Sequence, residues 1–167
     1  MPQTFTTFIK QHSNTVQMIA KSYANVGEYQ DLSQDIFIQL WKGFESFRGD
    51  SQLKTWVYRV AINTAISYQR KKISEKKLGL IYGSAQRSEC SVAELAVADL
   101  AVQDGQCQQH IIESFVKTLN KIDRAIFLMY LDGLSSADME QVLGMNDNAI
   151  KVRISRMKTK FSQQFID

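Results

Sequence analysis

Few residues in this chain could carry covalent chemistry. His12 and His110 are its two histidines, and Cys90 and Cys107 its two cysteines. The run CQQH at 107–110, taken with Cys90, offers two thiolates and an imidazole, ligands that suit zinc. The fourth ligand of a structural site has no candidate. SQLK at 51–54 and SEKK at 74–77 have the Ser-x-x-Lys form of some acyl-transfer enzymes, but no companion motif follows either. No glycine-rich phosphate loop occurs. The sequence therefore calls for no catalytic residue, no metal and no cofactor, and an enzyme is the least favoured class.

Chemistry of another kind is better represented. Within SFRGDSQLKTWVYRVAINTAISYQRKK (46–72), Trp56, Arg59, Asn63, Ser67 and Arg70 share one side of a helical wheel, which runs into Lys71 and Lys72. Aromatic rings stack on unpaired bases, amides bond to base edges and cations hold phosphates. A solvated basic helix end is the plainer reading of the same residues. Near the C-terminus, NAIKVRISRMKTK (148–160) repeats the theme in a different form. Asn148, Val152, Ser155 and Thr159 form a line opposite Ile150, Ile154, Met157 and Phe161. Lys151, Arg153, Arg156, Lys158 and Lys160 flank that line. A narrow polar line with cations beside it suits base edges and phosphates of duplex DNA.

The elements that must position these groups are helices. The single proline is Pro2, and no strand-like alternation of useful length occurs. Periodicity predicts helices near 4–24, 29–46, 51–72, 91–103, 107–118, 122–131, 135–143 and 147–164. In YQDLSQDIFIQLWKGFESF (29–47), Leu32, Ile36, Phe37, Leu40, Trp41, Phe44 and Phe47 form a broad apolar arc expected to be core. The opposite side carries Asp31, Gln34, Asp35, Ile38 and Lys42. Ile38 there is either a scattered exposed residue or the centre of a small docking patch. The next helix has its core stripe at Leu53, Val57, Val60, Ala61, Thr64 and Tyr68. In 134–161, Leu134, Met139, Val142 and Leu143 make a short amphipathic helix. Gly144 is placed for a left-handed stop, and Asn146 or Asp147 for the next N-cap: a helix-turn-helix.

The chain has 167 residues and a formal net charge of +3, enough for one domain or two small ones. The charge is segregated: RKKISEKK (70–77) and 148–160 are basic, while SECSVAELAVADLAVQDG (88–105) is acidic. No apolar run is long enough for a bilayer and no signal peptide is legible, so the cytoplasm is the default expectation. The expected class is all-α: an N-terminal module at 1–75, a linker at 76–106 and a C-terminal module at 107–167.

Residues 31–72 resemble region 2 of bacterial sigma-70 family sigma factors, above all their extracytoplasmic-function (ECF) group. The family pattern is matched in order by Asp31, Leu32, Gln34, Asp35 and Phe37; Phe47 to Ser51; Thr55, Trp56, Tyr58 and Arg59; and Asn63, Thr64 and Ala65. Residues 134–161 resemble region 4, with its GLS start, LG turn and K-x-R-x-S-R helix. The resemblance implies two helical domains and no catalysis of the chain's own. It implies that the face of Asp31, Gln34, Asp35, Ile38 and Lys42 docks on the clamp helices of core RNA polymerase, and that the C-terminal module meets the flap. Trp56, Arg59, Asn63, Ser67, Arg70, Lys71 and Lys72 would open and read the minus-ten element. A flipped base would sit near Asn63, at an unstacking cost of roughly a few kcal/mol. Asn148, Lys151, Val152, Arg153, Ser155, Arg156 and Lys158 would bind the minus-35 element. The acidic linker would imitate a nucleic-acid backbone in a polymerase channel, or serve only as a tether. One departure is Glu140, where a small residue is usual, with Arg153 as a candidate partner. Val152 replaces a more usual polar residue, shifting preference toward a thymine methyl. Promoter sequence, inducing signal and the existence of an anti-sigma partner stay open. An ordinary helix-turn-helix regulator acting on intact duplex is the alternative, but it leaves Ile38 and the Trp56 side unexplained. A protein that occupies polymerase without reading DNA is a third, supported only by Glu140.

Overall fold

The protein is described here from a computed structural model covering residues 5–49, 51–81 and 104–165, with the side chains of 79–81 and 104–109 outside the description. Every element in this range is helical: α1 (Phe5–Tyr23), α2 (Tyr29–Phe44), α3 (Leu53–Ile81), α4 (Asp104–Thr118), α5 (Lys121–Leu131), α6 (Ser136–Leu143) and α7 (Asp147–Phe165). The expected helix at 91–103 and the acidic run up to residue 103 lie outside the described residues. Helices α3 and α4 both reach further into the expected linker than periodicity indicated. Apolar periodicity is lost after residue 72, but 73–81 contains no proline, and its one glycine, Gly79, is tolerated in a helix at a cost of about 1 kcal/mol.

Helices α1, α2 and α3 form the N-terminal module, and α4–α7 the C-terminal one. Phe8, Val16, Ile19, Leu32, Ile36, Leu40, Val57, Tyr58, Ala61, Ile62 and Ala65 are buried in the first, and Phe115, Ile126, Met129, Met139, Ile150 and Met157 in the second. The buried stripe of α3 therefore centres on Val57, Tyr58, Ala61, Ile62 and Ala65. Leu53, Val60, Thr64 and Tyr68, expected in it, are half-buried at its edge.

The two tryptophans exchange the places the sequence suggested. Trp41 is 62% exposed, because the α2 arc that meets α1 and α3 is narrower than the wheel's apolar arc. Trp56 is half-buried instead, its ring 5.1 Å from Phe47 and 6.0 Å from Phe8. Gly43 admits it: a Cβ there would lie 2.9 Å from Trp56 Cζ2.

Local signals set the C-terminal module. Asn120 caps α5 by accepting from the backbone N–H groups of Ile122 and Asp123. Ser135 and Asp138 form a reciprocal capping box on α6. Gly144, at φ 66°, ends α6 in the left-handed conformation. Asn146 Oδ1 then accepts from Asn148 N at 2.9 Å and starts α7.

Candidate polymerase and promoter surfaces

On α2, Asp31, Gln34, Asp35, Ile38 and Lys42 are all exposed. Ile38 is 44% exposed and sits one helical turn from Trp41. The side expected to hold one stranded apolar residue thus carries two, with a charged and amide rim.

On α3, Asn63, Ser67, Arg70 and Lys71 are exposed in one row. Trp56 and Arg59 are not free members of it. The Trp56 ring is packed as above, and Arg59 is half-buried with its Nε enclosed and without a hydrogen-bond partner. Lys72 is engaged too, paired with Glu28 and lying 5.3 Å from the centroid of Tyr68. The Glu28 contact raises the pKa of Lys72 and keeps it charged. Tyr68 stands between two open clefts. One, of about 330 Å³, lies between α2 and α3 and is lined by Asp35, Gln39, Thr64, Ser67, Lys71 and Glu75 among others. The second, of about 270 Å³, includes Asn25, Glu28, Gln69 and Ile73. Asn63 lines neither; its neighbours Thr64 and Ser67 line the first.

On α7, Ile150 and Met157 are buried while Asn148, Val152, Ser155 and Thr159 are exposed, Val152 at 50%. Lys151, Arg156, Lys158 and Lys160 are exposed beside them. Lys151 pairs with Asp147 at 2.6 Å, one turn earlier, which lowers the pKa of that carboxyl. Lys158 lies 4.8 Å from the centroid of the Tyr130 ring. Arg153 faces inward, its Nη1 donating to Asp123 Oδ1 at 2.6 Å. It is therefore not the partner of Glu140, which is exposed and needs none.

The modules meet across an interface that sequence reading missed. Tyr58 OH donates to Asp132 Oδ2 at 2.9 Å, and Lys54 Nζ lies 3.1 Å from the same oxygen. Thr55 Oγ1 donates to Asp138 Oδ1 at 3.3 Å. Tyr23 OH donates to the Lys121 carbonyl at 2.5 Å, and Arg124 Nη1 donates to the Ser22 carbonyl at 2.7 Å. Burial, then the Asp132 charge, pushes the Tyr58 hydroxyl pKa up, so it stays a donor. Burial does the same for Tyr23. Among the described residues no group of three or more potential ligands could hold a metal; Cys90 and the Cys107 side chain lie outside them. No described helix is long and apolar enough to cross a membrane.

A sigma-70 region 2 model matches residues 8–74 and a sigma-70 region 4 model matches residues 109–161. The chain is 25% identical to the ECF RNA polymerase sigma-E factor of Escherichia coli K12 over 157 residues, covering 92% of this chain and 82% of that one. It is 28% identical to the ECF sigma factor SigW of Bacillus subtilis over 154 residues, covering 90% and 82%. In structure it is similar to the sigma factor RpoE of Bartonella quintana, solved with the anti-sigma factor NepR, at a TM-score of 0.74, 22% identity and coverage of 95% and 94%. It is also similar to CnrH, solved with the cytosolic domain of CnrY, at a TM-score of 0.64, 18% identity and coverage of 96% and 86%. With both regions matched in order and relatives spanning nearly its whole length, the chain belongs to the sigma-70 family, in its ECF group.

Proposed function

We propose that the chain works as an alternative sigma factor through three surfaces, with catalysis left to the polymerase. The N-terminal module, residues 1–75, docks on the polymerase clamp helices through Asp31, Gln34, Asp35, Ile38 and Lys42, joined by Trp41. Its α3 row, Asn63, Ser67, Arg70 and Lys71, meets the opened minus-ten element. Trp56 and Arg59 sit behind that row, and Lys72 at its end. The C-terminal module, residues 107–167, turns Asn148, Val152 and Ser155 toward the minus-35 element, holds phosphates through Lys151, Arg156 and Lys158, and meets the flap. Arg153 acts there by holding α7. The family setting favours the cytoplasm and makes an anti-sigma factor a further candidate partner, as for the sigma factor RpoE of Bartonella quintana.

The observation that carries this reading is that one chain bears both an exposed line on α7 and the exposed Ile38–Trp41 pair on α2. A regulator that binds duplex alone has no use for the second. Run-off transcription with purified core polymerase tests it. Product should appear only when the chain is added, and no product on a range of ECF-type promoters would overturn it. Sequence-selective duplex binding without core dependence would favour the regulator.

A further inference from the structure

Lys151, Arg153 and Lys158 flank the exposed line of α7, and their partners differ in charge. Lys151 is paired with the Asp147 carboxylate and Arg153 with that of Asp123, both at 2.6 Å. Lys158 instead lies 4.8 Å from the centroid of the Tyr130 ring on α5. A carboxylate holds a cation by cancelling its charge and occupying its donors. The face of an aromatic ring attracts an ammonium through its quadrupole and leaves the net charge in place. Of these three cations, only Lys158 keeps a charge that its partner does not cancel.

Its place on the helix suits that charge to a phosphate. Lys158 lies about 15 Å along α7 from Asn148, at 1.5 Å per residue. The major groove is about 12 Å wide. With the start of α7 over the base edges, Lys158 has passed them and stands at the groove wall, where the backbone runs. An ammonium has three N–H donors, so the side turned away from the ring can donate to a phosphate oxygen.

The ring has a fixed mount. Tyr130 is in the last turn of α5, where its carbonyl accepts from Gly133 N–H at 3.1 Å and that of Met129 from Leu134 N–H at 3.0 Å. Gly133 takes φ 77° in this stop. Met129 is buried, while Tyr130 beside it is 40% exposed. Helices α5 and α7 are also tied nearer their starts by Asp123 and Arg153, so the angle between them does not depend on the Tyr130 ring alone.

We propose that Tyr130 is a positioning residue for promoter binding. Its ring holds the Lys158 ammonium at the level of the DNA backbone before DNA arrives, so less side-chain freedom is lost on contact. This rests on the reading of α7 as the helix that enters the minus-35 element.

The test uses the full chain and a labelled mixed-sequence duplex, with fluorescence anisotropy read over a series of salt concentrations. A mixed sequence isolates the phosphate part of binding. Tyr130→Leu keeps an apolar side chain but removes the π face. It should weaken binding roughly threefold, within the range of one exposed cation–π contact. The salt slope should stay as it is, because Lys158 still reaches its phosphate. Lys158→Ala should lower that slope by about one unit, and in that background Tyr130→Leu should change nothing further. Tyr130→Phe keeps the ring and should bind as the wild type does. Circular dichroism confirms that each variant is folded. A Tyr130→Leu chain that binds as tightly as the wild type overturns the proposal. So does a loss that persists without Lys158, which would make the ring structural, or one that Tyr130→Phe shares, which would place the hydroxyl on the DNA. An unchanged slope in Lys158→Ala overturns it too. A wild type that binds no duplex even at low salt would instead overturn the reading of α7 itself.

Discussion

Arg153 on α7 and Asp123 in the first turn of α5 are joined at 2.6 Å, both largely covered. One of the cations flanking the exposed line of α7 is thereby committed to fixing the angle of that helix. Arg153→Ala should lower the stability of the C-terminal module, and a double-mutant cycle with Asp123→Ala should give a coupling of about 1 kcal/mol. Urea denaturation of the four chains measures it. Additive losses would show that the pair is incidental.

Lys158 and Asn148 should separate two kinds of DNA contact. Lys158→Ala should weaken duplex binding across all sequences and lower the salt slope by about one unit. Asn148→Ala should leave the slope and relax preference at one base pair, by about 1–3 kcal/mol. Binding-site selection at two salt concentrations distinguishes them. An unchanged preference in Asn148→Ala would mean that another face of α7 enters the groove.

Ile38→Lys and Trp41→Ala should leave the fold intact, since both residues point into solvent, and weaken retention of core polymerase. A desolvated anchor at a patch centre contributes ~2 kcal/mol or more. Co-purification with tagged core polymerase reads this directly, and undiminished recovery would place the docking surface elsewhere.

Gly43→Ala runs against the usual trend. In an open helix the change would add about 1 kcal/mol of stability. Here the new methyl meets the Trp56 ring at 2.9 Å, with Phe8 and Phe47 also packed on that ring. The expected result is a loss of about 1–3 kcal/mol together with a changed tryptophan fluorescence. Restored stability in Gly43→Ala with Trp56→Phe would confirm the contact.

Asp138 receives hydrogen bonds from the Ser135 hydroxyl and backbone N–H, which hold its carboxyl below the usual range. A depressed folded-state pKa contributes stability that is present above the unfolded value and lost as pH falls through the folded one. Ser135→Ala should therefore cost about 1 kcal/mol at neutral pH, and the difference should shrink below about pH 4. Denaturation midpoints at pH 7 and pH 3 check both parts. An equal difference at both would remove Asp138 from the account.

Much of this was legible in the sequence, and the exceptions have physical reasons. The helix-turn-helix could be read from Leu134, Met139, Val142, Gly144 and Ile150 because its caps and stripes are local. The tryptophans could not. A helical wheel shows which residues share a side, but which edge of an apolar arc is covered depends on partners, and α1 brings Phe8 to Trp56 rather than to Trp41. One signal was present: Gly43, a glycine inside a helix, often marks a close approach. The contacts of Asp132 with Lys54 and Tyr58 had no such signal, since pairing across the chain leaves no trace in local periodicity. Arg153 falls among the flanking cations on the wheel for the same reason: its partner, Asp123, lies on another helix.

The separation in sequence between Tyr58 and Asp132 also has a consequence in time. The N-terminal module closes through the short connections between α1, α2 and α3, so its contacts are mostly local and form fast. Its clasp partner lies 74 residues later in the chain. At a synthesis rate of about 5–20 residues per second, Asp132 follows Ile81 by roughly 3–10 s. Each newly made chain therefore passes through an interval in which α3 is complete and its donors are uncovered, before the second module exists to close over them.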